Sequence, residues 1–348
     1  MSDIRRRAPA DPSGSSLVSE EPTLNEKDKD VGLKHGVFMQ ILRSLLLATW
    51  FNGCCVCIFM TQLIGAPLYF VNKNYYYAYM AMTKQCFGIL IVTITQWGAP
   101  TVVRVSGDES VKGQIQLGAN GLLKTNFPDR LVFVANHQVY TDWLYLWWVS
   151  YTSRMHGHIY IILKESLKRI PVIGQGMMFY GFIFMAQGTN LSINTKNISN
   201  KYGEKQLRGT VDWVYDCTVG YEGPPKGIYP DRYFTLRSTY GQGRPPKSVN
   251  MYWRRWALEE IPLDDPKDFE QWLLERWREK DALLDQFFET GRFPTSLDSS
   301  IETQNIPAKQ KDEASRGYAE TEIQLARWIE VVEIFAVLLL VGFLCRTF

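Results

Sequence analysis

The sequence predicts an α/β fold, a mixed sheet with flanking helices, carried on an N-terminal helical hairpin that enters a membrane. Three observations lead there. Two stretches, Ser44–Asn72 and Gln85–Val103, hold no charged residue over lengths that cross a bilayer as helices. Short apolar runs follow at Leu131–Ala135, Tyr160–Leu163 and Trp213–Thr218, spaced as strands are. Between the first two runs, Thr141–Ser150 is rich in Trp and Leu and reads as a helix.

The elements can be justified in order. Residues 1–36 mix Pro, Ser, Asp, Glu and Lys without periodicity, the composition of a disordered tail. That tail separates the first apolar stretch from Met1, which argues against a cleaved signal peptide. Residues 37–103 form the membrane hairpin, with Tyr75, Tyr76, Tyr77 and Tyr79 between the two spans as an interfacial aromatic cluster. Lys34, Arg43, Arg104 and Lys112 flank the hairpin and place both of its ends in the cytosol. Residues 104–240 form the α/β domain, in which Leu131–Ala135 has the β-branched and aromatic character of a buried strand.

Residues 241–300 form a C-terminal region of that domain, 301–326 a linker, and 327–348 a possible membrane helix around the apolar run Ile334–Cys345. Within 241–300, the segment from Asp265 to Pro294 has helical periodicity. It sets Phe269, Trp272, Leu273 and Trp277 on one side and Lys, Arg and Glu opposite, an amphipathic helix expected to pack on the domain.

Composition excludes several classes. In 348 residues, 38 Lys and Arg nearly balance 36 Asp and Glu, a whole-chain charge that argues neither for nor against nucleic acid; the expected partners are lipid and membrane, with no nucleic acid. The six Cys show no metal-binding spacing and read as reduced thiols. No G-x-S-x-G elbow, phosphate-binding G-x-x-x-x-G-K-[ST] loop or H-E-x-x-H zinc helix occurs. Of the four His, His156 and His158 in "RMHGHIY" read as surface or packing residues, and no metal site is expected.

The chemistry then falls to "VFVANHQVYTDW", Val132 to Trp143. A His and an Asp five residues apart point away from each other on a regular helix, so His137 and Asp142 meet only if the chain turns between strand and helix. The flanks supply that turn. A bare H-x-x-x-x-D is also what a loop histidine followed by a helix-capping aspartate produces.

"NHQVYTDW" resembles the first motif of the glycerolipid acyltransferases, the 1-acylglycerol-3-phosphate and lysophospholipid O-acyltransferase family. Further matching stretches follow in family order: Ile162–Met185, "GTNLS" from Gly188 to Ser192, Gly209–Gly223 and "RPPKSVNMYWRRW" from Arg244 to Trp256. The last set is similar to the branch acting on lysocardiolipin and lysophosphatidylinositol. The resemblance, covering about Ile41 to Pro294, implies the family's glycerol-3-phosphate-acyltransferase-like fold and transfer of an acyl group from acyl-CoA, as co-substrate, to a lysophospholipid. No bound cofactor is implied. The expected place is the endoplasmic reticulum or another endomembrane.

On that resemblance His137 is the general base and Asp142 the carboxylate that fixes its tautomer. Gly188, Thr189 and Asn190 match the phosphate-binding block, with Lys164 as a nearby cation. The chain departs from the family in two places. Met185-Ala186-Gln187-Gly188-Thr189 stands where Phe-Pro-Glu-Gly-Thr is usual, without the preceding basic segment and its arginine, and a Leu-Pro-Arg segment is absent near "NKYGEKQ". Both junctions are clean, as when whole segments are lost. Three classes stay open: an acyltransferase, an impaired form of the same scaffold that binds lipid or a partner, and a membrane scaffold of unrelated purpose. Asn190-Leu-Ser and Asn197-Ile-Ser fit the glycosylation pattern by chance in a cytosolic domain.

Overall fold

Helix α1 (Val37–Gly65) and helix α2 (Lys73–Gly98) form the hairpin, joined through a helical turn at Leu68–Val71, in a computed structural model that describes residues 35–118, 120–185, 210–225, 228–294 and 318–347. Both are long and apolar enough to cross a membrane. The second helix starts earlier than the charge pattern suggested. The Asn72 side chain caps it, accepting from the N–H groups of Asn74 (2.8 Å) and Tyr75 (3.3 Å), so the tyrosines lie on its first turns rather than in a loop. The helices meet where Gly65 admits the Tyr79 ring, since a Cβ there would sit 2.1 Å from a ring carbon, and the Tyr79 hydroxyl donates to Thr61 O at 2.9 Å.

Next come β1 (Val102–Gly107), the hairpin β2 (Ile115–Leu117) and β3 (Leu123–Thr125), and β4 (Leu131–Ala135). Helix α3 (Asp142–Thr152) follows the His137 turn. Strands β5 (Ile162–Lys164) and β6 (Ile183–Met185) form a separate parallel pair around helix α4 (Ile173–Phe179). Strands β7 (Trp213–Glu222) and β8 (Ser248–Ala257), helix α5 (Pro266–Thr290), strand β9 (Ala319–Glu322) and helix α6 (Ala336–Thr347) complete the chain.

The main sheet has the order β4-β7-β8-β1-β9. Strand β4 runs parallel to β7 and β1 parallel to β8, while β7 with β8 and β1 with β9 are antiparallel. The sheet is therefore mixed, as expected. It crosses the boundaries expected at 240 and 300, and β9 falls within the segment expected to be a linker.

Strand β4 departs from its reading as buried: it is an edge strand with all five residues half-buried, and β7 is its one strand partner among the described residues. An apolar run reports what covers a strand, not how many neighbours pair with it.

Along β7 the side chains alternate. Tyr215, Cys217, Val219 and Tyr221 face α3, and Asp216, Thr218 and Gly220 face α5. Helix α5 is capped by Asp265, which accepts from Lys267 N–H at 2.7 Å, and ends at Gly291 in the left-handed conformation, φ 75°. It packs on the sheet, as expected, with Phe287 over Gly220, where a Cβ would lie 2.9 Å from the ring. The polar face is not fully solvated, however. Lys280 is buried and reaches the Asp216 carboxylate and Cys217 O (2.9 Å), whereas Trp277 is exposed. Asp216 on the sheet draws the lysine inward, which no pattern internal to the helix reveals.

At the C-terminus the helical segment Trp328–Ile334 meets α6 at 58°, and the two together are long and apolar enough for a broken span. Glu330 there accepts from the Tyr151 hydroxyl at 2.5 Å, so α3 is tied to this segment.

Candidate active site

The turn between β4 and α3 is built by side chains more than by backbone ladder. The β4–β7 register ends at Ala135 opposite Cys217. Beyond it, the Asn136 amide continues the pairing: its Nδ2 donates to Val219 O at 2.9 Å, and its Oδ1 accepts from Val219 N–H at 2.7 Å. The chain is thereby held against β7 one residue before His137. Asp142 opens α3, and its Oδ2 accepts backbone N–H groups of Gln138 (2.5 Å) and Val139 (3.0 Å), which closes the turn.

His137 and Asp142 come together as the sequence predicts, with Nδ1 2.7 Å from Oδ2. Their surroundings differ sharply. The Asp142 side chain is 3% exposed and that of His137 53%. Donation from Nδ1–H leaves Nε2 as the acceptor nitrogen, and among the described residues no hydrogen bond occupies it. The hydrogen bond to Asp142 raises the imidazole above its ordinary value, over the opposing effect of partial burial. The other oxygen, Oδ1, accepts from the Tyr221 hydroxyl on β7. An imidazole so held can take a proton at Nε2 while its charge is balanced from behind.

An aromatic cluster seats this turn against the hairpin. Phe87 of α2 stacks on Trp143 at 6.4 Å and meets Trp147 edge-on at 5.0 Å. Phe182, just before β6, packs on Trp147 at 6.2 Å, so the β5–β6 pair rests on the helix that carries Asp142. Lys164 closes β5 directly opposite Met185, the one described residue of the altered block, and makes no ion pair among the described residues. Gln187 and the predicted substrate-binding residues Gly188, Thr189 and Asn190 lie outside the described residues.

Elsewhere, His156 is buried with its ring 5.1 Å from Tyr151, and burial pushes it down to about 4. Among the described residues no group of three His, Cys, Asp or Glu is placed to hold a metal.

Residues 103–212, which include the dyad, match the family described as Acyltransferase, and residues 242–316 match Acyltransferase C-terminus. An uncharacterized acyltransferase of Schizosaccharomyces pombe is 35% identical over 69% of this chain and 83% of its own length. The chain belongs to the glycerolipid acyltransferase family. Within that family it is similar to the 2-acyl-1-lysophosphatidylinositol acyltransferase of Saccharomyces cerevisiae, 28% identical over 75% of this chain and 88% of the relative. Lysocardiolipin acyltransferase 1 of Gallus gallus is 24% identical over 65% and 68% of the respective chains. Among solved structures, the 1-acyl-sn-glycerophosphate acyltransferase PlsC of Thermotoga maritima aligns with a TM-score of 0.36 and 16% identity, covering 72% of this chain and 97% of that one.

Two residues of the candidate site escaped the sequence reading, Asn136 and Tyr221. The signal for Asn136 is its place beside His137 at a strand end, where an amide can stand in for a lost ladder bond. For Tyr221 the signal is the alternation along Trp213–Glu222, which sets its hydroxyl on the apolar side, where it requires a partner.

Proposed function

We propose that this acyltransferase esterifies the free hydroxyl of a lysophospholipid from acyl-CoA, with His137 as general base. The observation that carries the reading is the His137–Asp142 contact: a buried carboxylate behind a half-exposed imidazole whose Nε2 takes part in no hydrogen bond among the described residues. The thioester is already activated, so no enzyme nucleophile is required. As the acceptor oxygen attacks the thioester carbonyl carbon, Nε2 takes the hydroxyl proton. Asp142 balances the imidazolium. Collapse of the tetrahedral intermediate breaks the carbon–sulfur bond, and the departing CoA thiolate takes the proton back.

The names of the relatives support lysophosphatidylinositol or lysocardiolipin as acceptors, with lysophosphatidic acid as the simpler alternative. Gly188, Thr189 and Asn190 would receive the acceptor phosphate, assisted by Lys164. Family membership sets aside an unrelated scaffold. The second earlier reading, an impaired form of the scaffold, is favoured by one specific observation: Gln187 replaces the family's glutamate, and the segment bearing its arginine is missing. A phosphate-clamping arginine commonly contributes on the order of 2–4 kcal/mol at the transition state. The chain as written should therefore transfer acyl groups about a hundredfold more slowly than a version with both segments restored.

Thiol release from acyl-CoA, with each of the three lysophospholipids, tests both points. Restoration should accelerate release, and His137→Ala should abolish it in the restored version. Undiminished release from the His137 variant would end the base assignment, and equal rates for the two parent chains would show that the missing segments are dispensable.

For location we propose the cytosolic face of the endoplasmic reticulum or a related endomembrane, supported by the two apolar helices, by Arg43 near the start of the first and by Arg104 and Lys112 after the second. The protein should stay in the membrane pellet through alkaline carbonate, and its release into the supernatant would contradict an integral hairpin.

A further inference from the structure

Tyr221 lies on strand β7, 79 residues beyond Asp142 at the start of α3, yet its hydroxyl donates to the carboxylate oxygen that His137 does not use. We infer that Tyr221 is a positioning residue for the dyad: through Asp142 Oδ1 it sets both the orientation of the carboxylate and the share of negative charge that reaches His137. This rests on the reading of His137 as base and Asp142 as its partner.

The geometry gives Tyr221 a role that no other contact of Asp142 fills. Oδ2 is held by His137 and by the N–H groups of Gln138 and Val139, all of them parts of the turn itself. Those bonds shape the turn but move with it. Among the described residues, the Tyr221 hydroxyl is the one hydrogen-bond donor to the carboxylate that comes from the sheet. Two positions earlier on β7, Val219 grips Asn136 through its backbone. Strand β7 therefore pins the turn on both sides of His137, at Asn136 by backbone and at Asp142 by a side chain.

Tyr221 is itself fixed. It is 1% exposed, and its ring lies 6.1 Å from Tyr145 of α3 and 6.1 Å from Phe234. The titratable groups that face it are Asp142, Tyr145 and, on its own strand, Cys217. Burial, with the Asp142 charge, raises its phenol well above the ordinary value, so it remains a donor through the working pH range. His137 has Asp142 as the charged group that acts on it.

Tyr221→Phe keeps the ring and removes the donor. Negative charge formerly drawn to Oδ1 then concentrates on Oδ2, the imidazolium is better stabilised, and His137 should titrate about half a pH unit higher. A tyrosine that merely fills space would leave that titration where it is.

The test uses the full chain in detergent micelles with 15N-labelled histidine. It has four His, and His137 is assigned by its missing signal in His137→Ala. The signals of His156 and His158, both within the α/β domain, report that each variant is folded. Tyr221→Phe should shift the His137 titration upward, and the same change made in an Asp142→Asn background should shift it little, because the charge it redistributes is gone. An unchanged or lowered titration in Tyr221→Phe, or an equal shift in both backgrounds, would overturn the inference. Retained thiol release by His137→Ala in the restored enzyme would instead overturn the base assignment. The two failures are read from different measurements.

Discussion

Two aspartates are buried on opposite sides of strand β7, and only one of them sits at a place where chemistry can occur. Asp216 faces α5 and is closed in by cations: Arg254 donates to one oxygen at 2.9 Å, and Lys280 occupies the other. Arg254 is tied in turn to Glu279 at 2.6 Å. Asp142 faces the other way and is held by two backbone amides, a tyrosine hydroxyl and the imidazole. Among the described residues, no Lys or Arg pairs with it. Its charge is left to respond to a proton arriving on His137, whereas that of Asp216 is already spent on permanent ion pairs. Burial alone thus does not mark a functional carboxylate; the nature of its partners does.

Three substitutions would break or sharpen that contrast. The largest effect on folding should come from Lys280→Met. Removing one cation from a buried pair leaves part of the Asp216 charge uncompensated, at a cost of about 3 kcal/mol in stability. Chemical denaturation should show that loss, with acyl transfer per folded molecule unchanged; a fall in specific transfer without a fall in stability would mean that the two faces are coupled. Asp142→Asn should do the reverse. Transfer should drop roughly 10- to 100-fold, because the amide orients the imidazole poorly and cannot balance its charge. Its pH dependence also has a sign. The base works as neutral imidazole, and Asp142 raises its pKa, so the acidic limb of kcat/KM should move to lower pH once the carboxylate is gone. A limb that stayed in place would detach Asp142 from the base. The smallest effect belongs to Asn136→Ala, which removes the paired bonds to Val219 and should cost about 1–2 kcal/mol in stability, with a several-fold loss of transfer. Transfer at the parental rate would show that the turn holds its shape without this clamp.

The contrast also explains what could be read in the chain beforehand. The His137 turn is local: strand, turn and helix lie within some twenty residues, and periodicity with turn length suffices to place them. The helix that packs as α5 was legible from its 3.6-residue pattern. The inward turn of Lys280 was not, since it depends on a charge on β7 that the helix sequence does not contain. Tyr221 was hidden for the same reason, its partner being 79 residues away. The edge position of β4 and the return of β9 to the sheet are likewise facts of long-range pairing. Lys84 misled in the opposite direction: it bounds the apolar stretch Gln85–Val103, yet it lies inside α2, buried, with its Nζ donating to Ile159 O at 2.8 Å.

The position of β1 within the sheet also governs the order in which the molecule can be assembled. Strand β1 follows directly on α2, but its two neighbours, β8 and β9, are the fourth and fifth strands of this sheet to be synthesised. At about 5–20 residues per second, the nascent chain holds β1 beside the already synthesised hairpin for on the order of ten seconds before either partner exists. Throughout that interval both of its edges are open, with Val102, Val103 and Val105 among its residues. A chain whose synthesis ends between β7 and β8 would have its hairpin and His137 turn but an unpaired β1. Protection of β1 during synthesis is therefore a requirement of this topology, independent of how stable the finished enzyme is.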